Sequence, residues 1–375
     1  MRTLKLKKRK ATVCLPVEIK ETHYTGALFG IYIPESNFYN IIACESSLDS
    51  VYLAKQIGFI FPDKQLMLNA ECEGLCGYWE NEDLSFGTGQ EKYNKEYYAL
   101  KIDIFSRNTG ILESDIMLEK KAVFIGCGSV GSLFALELAR AGVGHFMLID
   151  NDIFGYHNIC RHQCGVLDVG KFKTNALKER ILQINPQAEV LTYNCIIQDV
   201  PLAAFECFCN TETIMIGGAD NREGDLYADH IAQDIGMPMI SVGCWERAFA
   251  GEIFYCIPNE MPAYSDFMAA LGDTSGRVNQ NRKFYTNEED LEKAVFEPGI
   301  SVDINFVTII AVKLAIDLLN RNNKEYIPRV ISHLSQYTLV CNTNDSGIGG
   351  DMAEIFSYPL QVTTSIIVPY ANEVK

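Results

Sequence analysis

The chain has 375 residues, enough for two domains or for one large domain with an appendage. Apolar residues make up 48% of it, which supplies a real core and excludes general disorder. The net charge of −16 argues against nucleic acid as the main partner, since such binders gather basic residues on one face.

The first ten residues, MRTLKLKKRK, hold six Lys or Arg and no acid, and read as a solvated tail or an alternating edge strand. They lead into no apolar segment, so no signal peptide is expected. The most apolar helical stretch, residues 306–319, contains Lys313 and Asp317 and is too short to span a bilayer, so no membrane partner is expected. The 13 cysteines are therefore expected to be reduced cytoplasmic thiols packed as small hydrophobes.

Residues 1–100 read as a small α+β accessory domain, with strands at 28–33, 51–53 and 59–61. Residues 79–95 are turn-rich and polar, and 81–95 reads as a mobile loop. From about Tyr97 a strand–helix alternation takes over, which defines a second domain over 101–375. Its most informative segment is 121–152, KKAVFIGCGSVGSLFALELARAGVGHFMLIDND. It predicts a buried strand (122–125), a glycine turn (Gly126-x-Gly128-x-x-Gly131), a helix (132–141) and a second strand ending in Asp150. A helix follows over 173–184, closed by Asn185-Pro186, then strands at 189–194, 213–216 and 238–242 with a helix at 225–235. Residues 258–299 form a polar excursion, after which a long helix (301–320) and strands at 337–342 and 360–368 are expected. The alternation predicts a Rossmann-like, mostly parallel α/β sheet with helices on both faces.

Each glycine of the turn has a separate task. Gly126 makes the tight turn, Gly128 lets main chain approach a phosphate, and Gly131 allows close helix–strand packing. The helix start then offers free N–H groups to an anion. Asp150, 19 positions after Gly131, stands where an acid accepts hydrogen bonds from ribose hydroxyls. NAD, FAD and SAM enzymes use the same fingerprint, so the nucleotide must be identified elsewhere.

Further polar clusters fall where ligands bind in such folds. Asp150-Asn151-Asp152 is followed by Asn158-x-x-Arg161; Lys171 and Lys173 open the next helix; Asp220-Asn221 follows the strand at 213–216; Arg107 precedes the glycines by about 20 residues. In this order and spacing they resemble the ThiF/MoeB/HesA superfamily of adenylating enzymes, related to ubiquitin-activating enzymes. The resemblance covers about residues 100–320. It implies an ATP-dependent adenylyltransferase that activates the C-terminal carboxylate of a small ubiquitin-like or sulfur-carrier protein, or of a peptide. It further implies Mg²⁺ on Asp220, phosphate contacts from Arg161 and Lys173, and ribose on Asp150. Asp152, Asn158, Asn221 and the three glycines would complete the nucleotide site. Arg107 would reach into the partner subunit of a homodimer.

Two departures from the family matter. The paired Cys-x-x-Cys of a structural zinc is missing, so no zinc is expected. The excursion 258–299, where thioester-forming members keep a nucleophilic cysteine, contains none. Cys244, Cys256 or a cysteine of the first domain would have to serve, and for Cys244 packing is the readier explanation. The first domain has a single histidine, His23, too few for a metalloprotease site, and is expected to recognise a partner. Three other readings remain open at this stage: an NAD-linked oxidoreductase, a nucleotide-binding scaffold without turnover, and a tRNA threonylcarbamoyladenosine dehydratase.

Overall fold

The structure, a computed structural model, describes residues 9–44, 54–70, 73–87, 92–99, 103–218, 222–271 and 298–365. The chain divides into two compact units, Met1–Arg107 and Asn108–Lys375. Just before the division, Asp103 Oδ2 accepts the N–H of Ala99 at 2.7 Å.

The first unit is built on one sheet. Its strands are β1 (Thr12–Pro16), β2 (Gly26–Ile33), β3 (Phe38–Cys44), β4 (Lys55–Phe61), β5 (Leu75–Glu80), β6 (Asp83–Phe86) and β7 (Asn94–Tyr98), in the order β6-β5-β4-β2-β3-β1-β7. Two short helices, Glu18–Glu21 and Lys64–Asn69, accompany them. Val13, Leu15, Leu28, Ile41, Ile60, Trp79 and Phe86 form its core.

The segment expected to be a loop at 81–95 contains strand, namely β6 and the first two residues of β7. β5 and β6 make a hairpin around Asn81, whose φ of 59° suits an asparagine in a tight turn. Leu84 and Phe86 of β6 are buried, and β7 pairs in parallel with β1. Charged neighbours and a strand of only four residues conceal this pattern in the sequence. The basic residues 1–8, the strand expected at 51–53 and residues 88–91 lie outside the described residues.

The second unit carries an eight-stranded sheet. Its strands are β8 (Lys121–Ile125), β9 (His145–Ile149), β10 (Glu189–Tyr193), β11 (Ile214–Gly217), β12 (Met239–Cys244), β13 (Ala250–Cys256), β14 (Tyr337–Cys341) and β15 (Gln361–Ser365). They run in the order β10-β9-β8-β11-β12-β13-β14-β15. The first five are mutually parallel, and β13 to β15 continue the sheet antiparallel.

Strand alternation feeds a core on each face. Phe124, Phe146, Ile216 and Ile240 meet the helices Ser129–Arg140, Lys173–Ile184 and Ser301–Leu319 on one side. Val123, Met147, Met215 and Met239 meet Leu202–Phe208, Arg222–Ile235 and Tyr264–Leu271 on the other. A strand covered on both faces is apolar throughout, which is why these segments read as continuous hydrophobic runs. The order of β10-β9-β8-β11 reverses direction between β8 and β11, and that switch point opens a crevice at the strands' carboxyl ends.

The excursion after β13 starts as a helix, Tyr264–Leu271, and residues 272–297 lie outside the described residues. Asp229, 1% exposed, anchors the helix start: its carboxylate accepts the N–H of Tyr264 at 3.1 Å and of Ser265 at 3.0 Å. None of the helices among the described residues is long and apolar enough to cross a membrane. Asp229→Ala should lower stability by about 2 kcal/mol, the worth of charge-assisted hydrogen bonds to one buried and one half-buried donor. Amide exchange at Tyr264 and Ser265 should speed up well beyond that of β8. Unchanged protection at these two amides would show that Asp229 is not the anchor.

Candidate nucleotide site

A cleft of about 630 Å³ lies at the switch point. It is lined by Gly126, Gly128, Ser129, Asp150, Asp152, Asn158, Arg161 and Lys173, together with Gly218, Cys244, Trp245, Glu246, Gly299 and Ile304.

The glycine turn is a consequence of backbone geometry. Gly126 sits at φ +93°, a conformation that side chains resist, and its N–H donates to Ile149 O at 2.9 Å. A Cβ on Gly131 would stand 2.1 Å from Gly126 O, so only glycine lets the helix Ser129–Arg140 lie this close to β8. A Cβ on Gly128 would meet nothing within 4 Å, because this residue borders the open cleft. No side chain caps the helix start, which leaves its first N–H groups to an anion.

Asp150 directly follows β9 and braces the turn. Its Oδ2 accepts the N–H of Cys127 at 2.7 Å and its Oδ1 accepts the N–H of Asp152 at 2.8 Å. A carboxylate oxygen accepts more than one hydrogen bond, so capacity remains for hydroxyls in the cleft. Burial pushes the Asp150 carboxyl above its usual range, against the opposing pull of Lys173 and the two backbone donors. Lys173 is nearly buried at the start of its helix, with Nζ 2.6 Å from Asp152 Oδ2. That pairing makes Asp152 the holder of the lysine. Lys171, by contrast, pairs with Glu179 at 2.6 Å and Asp168 at 3.2 Å, and Asp168 also accepts from Arg180 at 2.8 Å. Lys171 thus belongs to a bracing network.

Asn158 and Arg161 come from the segment between β9 and the helix at Lys173. Its inner side packs Phe154 with Cys164 and Ala176, and Asn158 Oδ1 accepts the N–H of Gly155 at 2.8 Å. The structure therefore brings Gly126, Gly128, Asp150, Asp152, Asn158, Arg161 and Lys173 to one cleft, with Gly131 behind them. Arg107 is exposed and is the last residue of the other compact unit. Asp220 and Asn221 lie outside the described residues; the flanking Gly218 and Gly224 both line the cleft.

The thiols divide by burial. Burial raises Cys164, Cys209 and Cys256 to about 12, and Cys127 well above the usual thiol range. Cys195 and Cys244 are half-buried and line the cleft. Among the described residues no three His, Cys, Asp or Glu side chains converge as metal ligands.

Several lining residues escape motif reading. Cys195, Ile196, Ile197 and Gln198 follow β10, and Trp245 and Glu246 follow β12. The rule that ligands bind past strand carboxyl ends would have found them. His162, next to Arg161, was also missed. It is 7% exposed, and its Nε2–H donates to Cys127 O at 2.7 Å, while Nδ1 accepts the N–H of Cys164 at 3.0 Å.

A glycine turn, a ribose-type acid and two cations at a switch point define a doubly wound α/β protein of the nucleotide-binding type. The chain belongs to the ThiF family, which it matches over residues 105–344. It is 29% identical over 170 residues to the sulfur carrier protein ThiS adenylyltransferase of Bacillus subtilis, covering 43% of this chain and 49% of that protein. It is 28% identical over 157 residues to ubiquitin-like modifier-activating enzyme 5 of Bombyx mori, covering 39% of each. A solved structure of E. coli MccB with ATP aligns at 18% identity and a TM-score of 0.48, over 68% of this chain and 66% of that one. The chain spans less than half the length of these two curated relatives.

The environment of His162 sets a pH dependence. Burial lowers its pKa from 6.5 to about 4. Between those values the unfolded chain binds a proton that the folded chain refuses. Stability is complete above pH 6.5 and falls as the pH drops towards 4, by about 3 kcal/mol in all. Urea unfolding across this range should show a shallower slope for His162→Gln, which does not titrate. Equal slopes would mean that the ring is not held neutral.

Proposed function

We propose that this chain is an ATP-dependent adenylyltransferase, which joins AMP to the C-terminal carboxylate of a small ubiquitin-like or sulfur-carrier protein, or of a peptide. The observation that carries this reading is the presence of Arg161 and Lys173 in the same cleft as the glycine turn and Asp150. A hydride-transfer enzyme needs the turn and the acid, whereas a triphosphate, more highly charged than a dinucleotide's pyrophosphate, gives a cationic pair more to neutralise. The names of the relatives point the same way, towards activation of carrier proteins.

The chemistry suits these residues. A carboxylate oxygen attacks the α-phosphorus of ATP, the bond to the β-phosphate bridging oxygen breaks, and pyrophosphate leaves. The carboxylate is ionised near neutral pH, so no general base is required. The work left is positioning and neutralisation of the triphosphate. The helix start at Gly128–Ser129 faces the phosphates, Asp150 takes the ribose, and Arg161 and Lys173 neutralise phosphate oxygens. Asp152 keeps Lys173 in place through their 2.6 Å pair. Asn158 and Asn221 complete the nucleotide contacts. Asp220 is assigned to Mg²⁺, whose preference for oxygen ligands fits the carboxylates of this cleft and which would spread the triphosphate charge. Arg107 acts across a homodimer, the first unit recognises the acyl substrate, and no thioester forms in the excursion.

The test is exchange of labelled pyrophosphate into ATP in the presence of peptides with free or amidated carboxyl termini. Exchange should require the free carboxylate and fall at least 100-fold in Asp220→Ala, a loss typical of removed transition-state charge stabilisation. A 1:1 mixture of Arg107→Ala and Asp220→Ala should recover about a quarter of wild-type exchange, because half the dimers are mixed and each holds one intact site. Exchange that ignores the carboxylate would contradict the proposed reaction. A mixture as inactive as either parent would remove Arg107 from the partner's site.

A further inference from the structure

Cys127 is the middle residue of the glycine turn, and side chains hold both of its main-chain polar groups. Asp150 takes its N–H at 2.7 Å, and the Nε2–H of His162 donates to its carbonyl at 2.7 Å. His162 is fixed in turn by the N–H of Cys164, which donates to Nδ1 at 3.0 Å. Those two bonds require the neutral tautomer with its proton on Nε2. The ring stands edge-on to Phe154, with centroids 4.9 Å apart.

The geometry points to His162 as a positioning residue for the phosphates, a role that rests on the nucleotide reading above. A free carbonyl at Cys127 would be able to turn towards the cleft and present a negative dipole to a triphosphate. Bonded to a buried ring, it is held towards the interior, and the uncapped start of the helix Ser129–Arg140 keeps its N–H groups for the anion before the ligand arrives. Asp150 acts on the same residue from the other side. The two side chains clamp one residue between its two peptide units, one by the donor of the first and one by the acceptor of the second. The charged groups that bear on the ring are Lys173, which disfavours its protonation, and Asp168, which favours it. Among the described residues the ring nitrogens bond to Cys127 O and to the N–H of Cys164, and these two bonds set the clamp.

A phosphate-positioning role differs from a structural one in a measurable way. It should act on nucleotides that carry phosphates and leave the nucleoside alone. His162→Met fills the space without either hydrogen bond, whereas His162→Gln offers an N–H to Cys127 and a carbonyl to Cys164. Calorimetric titration with Mg-ATP and with adenosine, beside urea unfolding at the same pH, separates the effects. We expect His162→Met to bind Mg-ATP about 10-fold more weakly, the worth of one buried hydrogen bond. Adenosine should bind within about 2-fold of wild type, and His162→Gln should restore Mg-ATP affinity. His162→Phe, which keeps an aromatic ring against Phe154, answers the same question if the Met variant fails to fold. Unchanged Mg-ATP affinity in the folded variant would overturn the role. So would a parallel loss for adenosine, or a Gln variant as weak as Met. Wild-type protein that binds neither ligand would overturn the nucleotide reading itself, and the role with it.

Discussion

The contact between Gly131 and the carbonyl of Gly126 is the constraint on which the second unit depends. A Cβ at this point would stand 2.1 Å from a backbone oxygen that has nowhere to go. With hydrogen in its place, the helix Ser129–Arg140 lies down on β8, and its uncapped start opens onto the crevice. The same approach brings Phe134 to Phe124, 5.9 Å between ring centroids, and seats the helix against Ser301–Leu319. Core packing and anion site therefore come from one close approach. Aromatic burial of this kind is worth about 2 kcal/mol or more per ring, which holds the helix in its place.

Electrostatics add a second layer. The chain is strongly acidic, yet the cleft gathers two cations and holds one of them, Lys173, against Asp152. Acids of this unit are occupied with structure: Asp150 holds the turn, Asp168 binds Lys171 and Arg180, and Asp229 starts the excursion helix. Each of these three carboxylates has its hydrogen-bond donors, which is what a partly or fully buried acid requires.

Much of the second unit was legible in the sequence because its strands are buried on both faces. The helix Lys173–Ile184 begins and ends where the periodicity and Asn185-Pro186 place it. The backbone tasks of Gly126 and Gly131 were legible because geometry dictates the residue type, and Asp150 and Lys173 line the cleft that the strand ends form. The site was not legible at His162, whose task is to hold a carbonyl 35 positions earlier. No local pattern encodes such a partner. The first unit was harder for a different reason. Its β6 has four residues and its β7 pairs with a strand some 80 positions away, so pairing and not alternation defines them. Trp79 shows the same effect: it reads as loop material, yet its Nε1–H donates to Tyr24 O at 2.9 Å within the core.

The central claim is that the cleft is built for the triphosphate of ATP and not for a dinucleotide. Equilibrium binding of Mg-ATP and of NADH to the wild-type protein and to Asp220→Ala tests it most directly. The account predicts that wild type binds Mg-ATP and ignores NADH, and that the substitution weakens Mg-ATP binding. Preference for NADH, or Mg-ATP binding unmoved by the substitution, would contradict it.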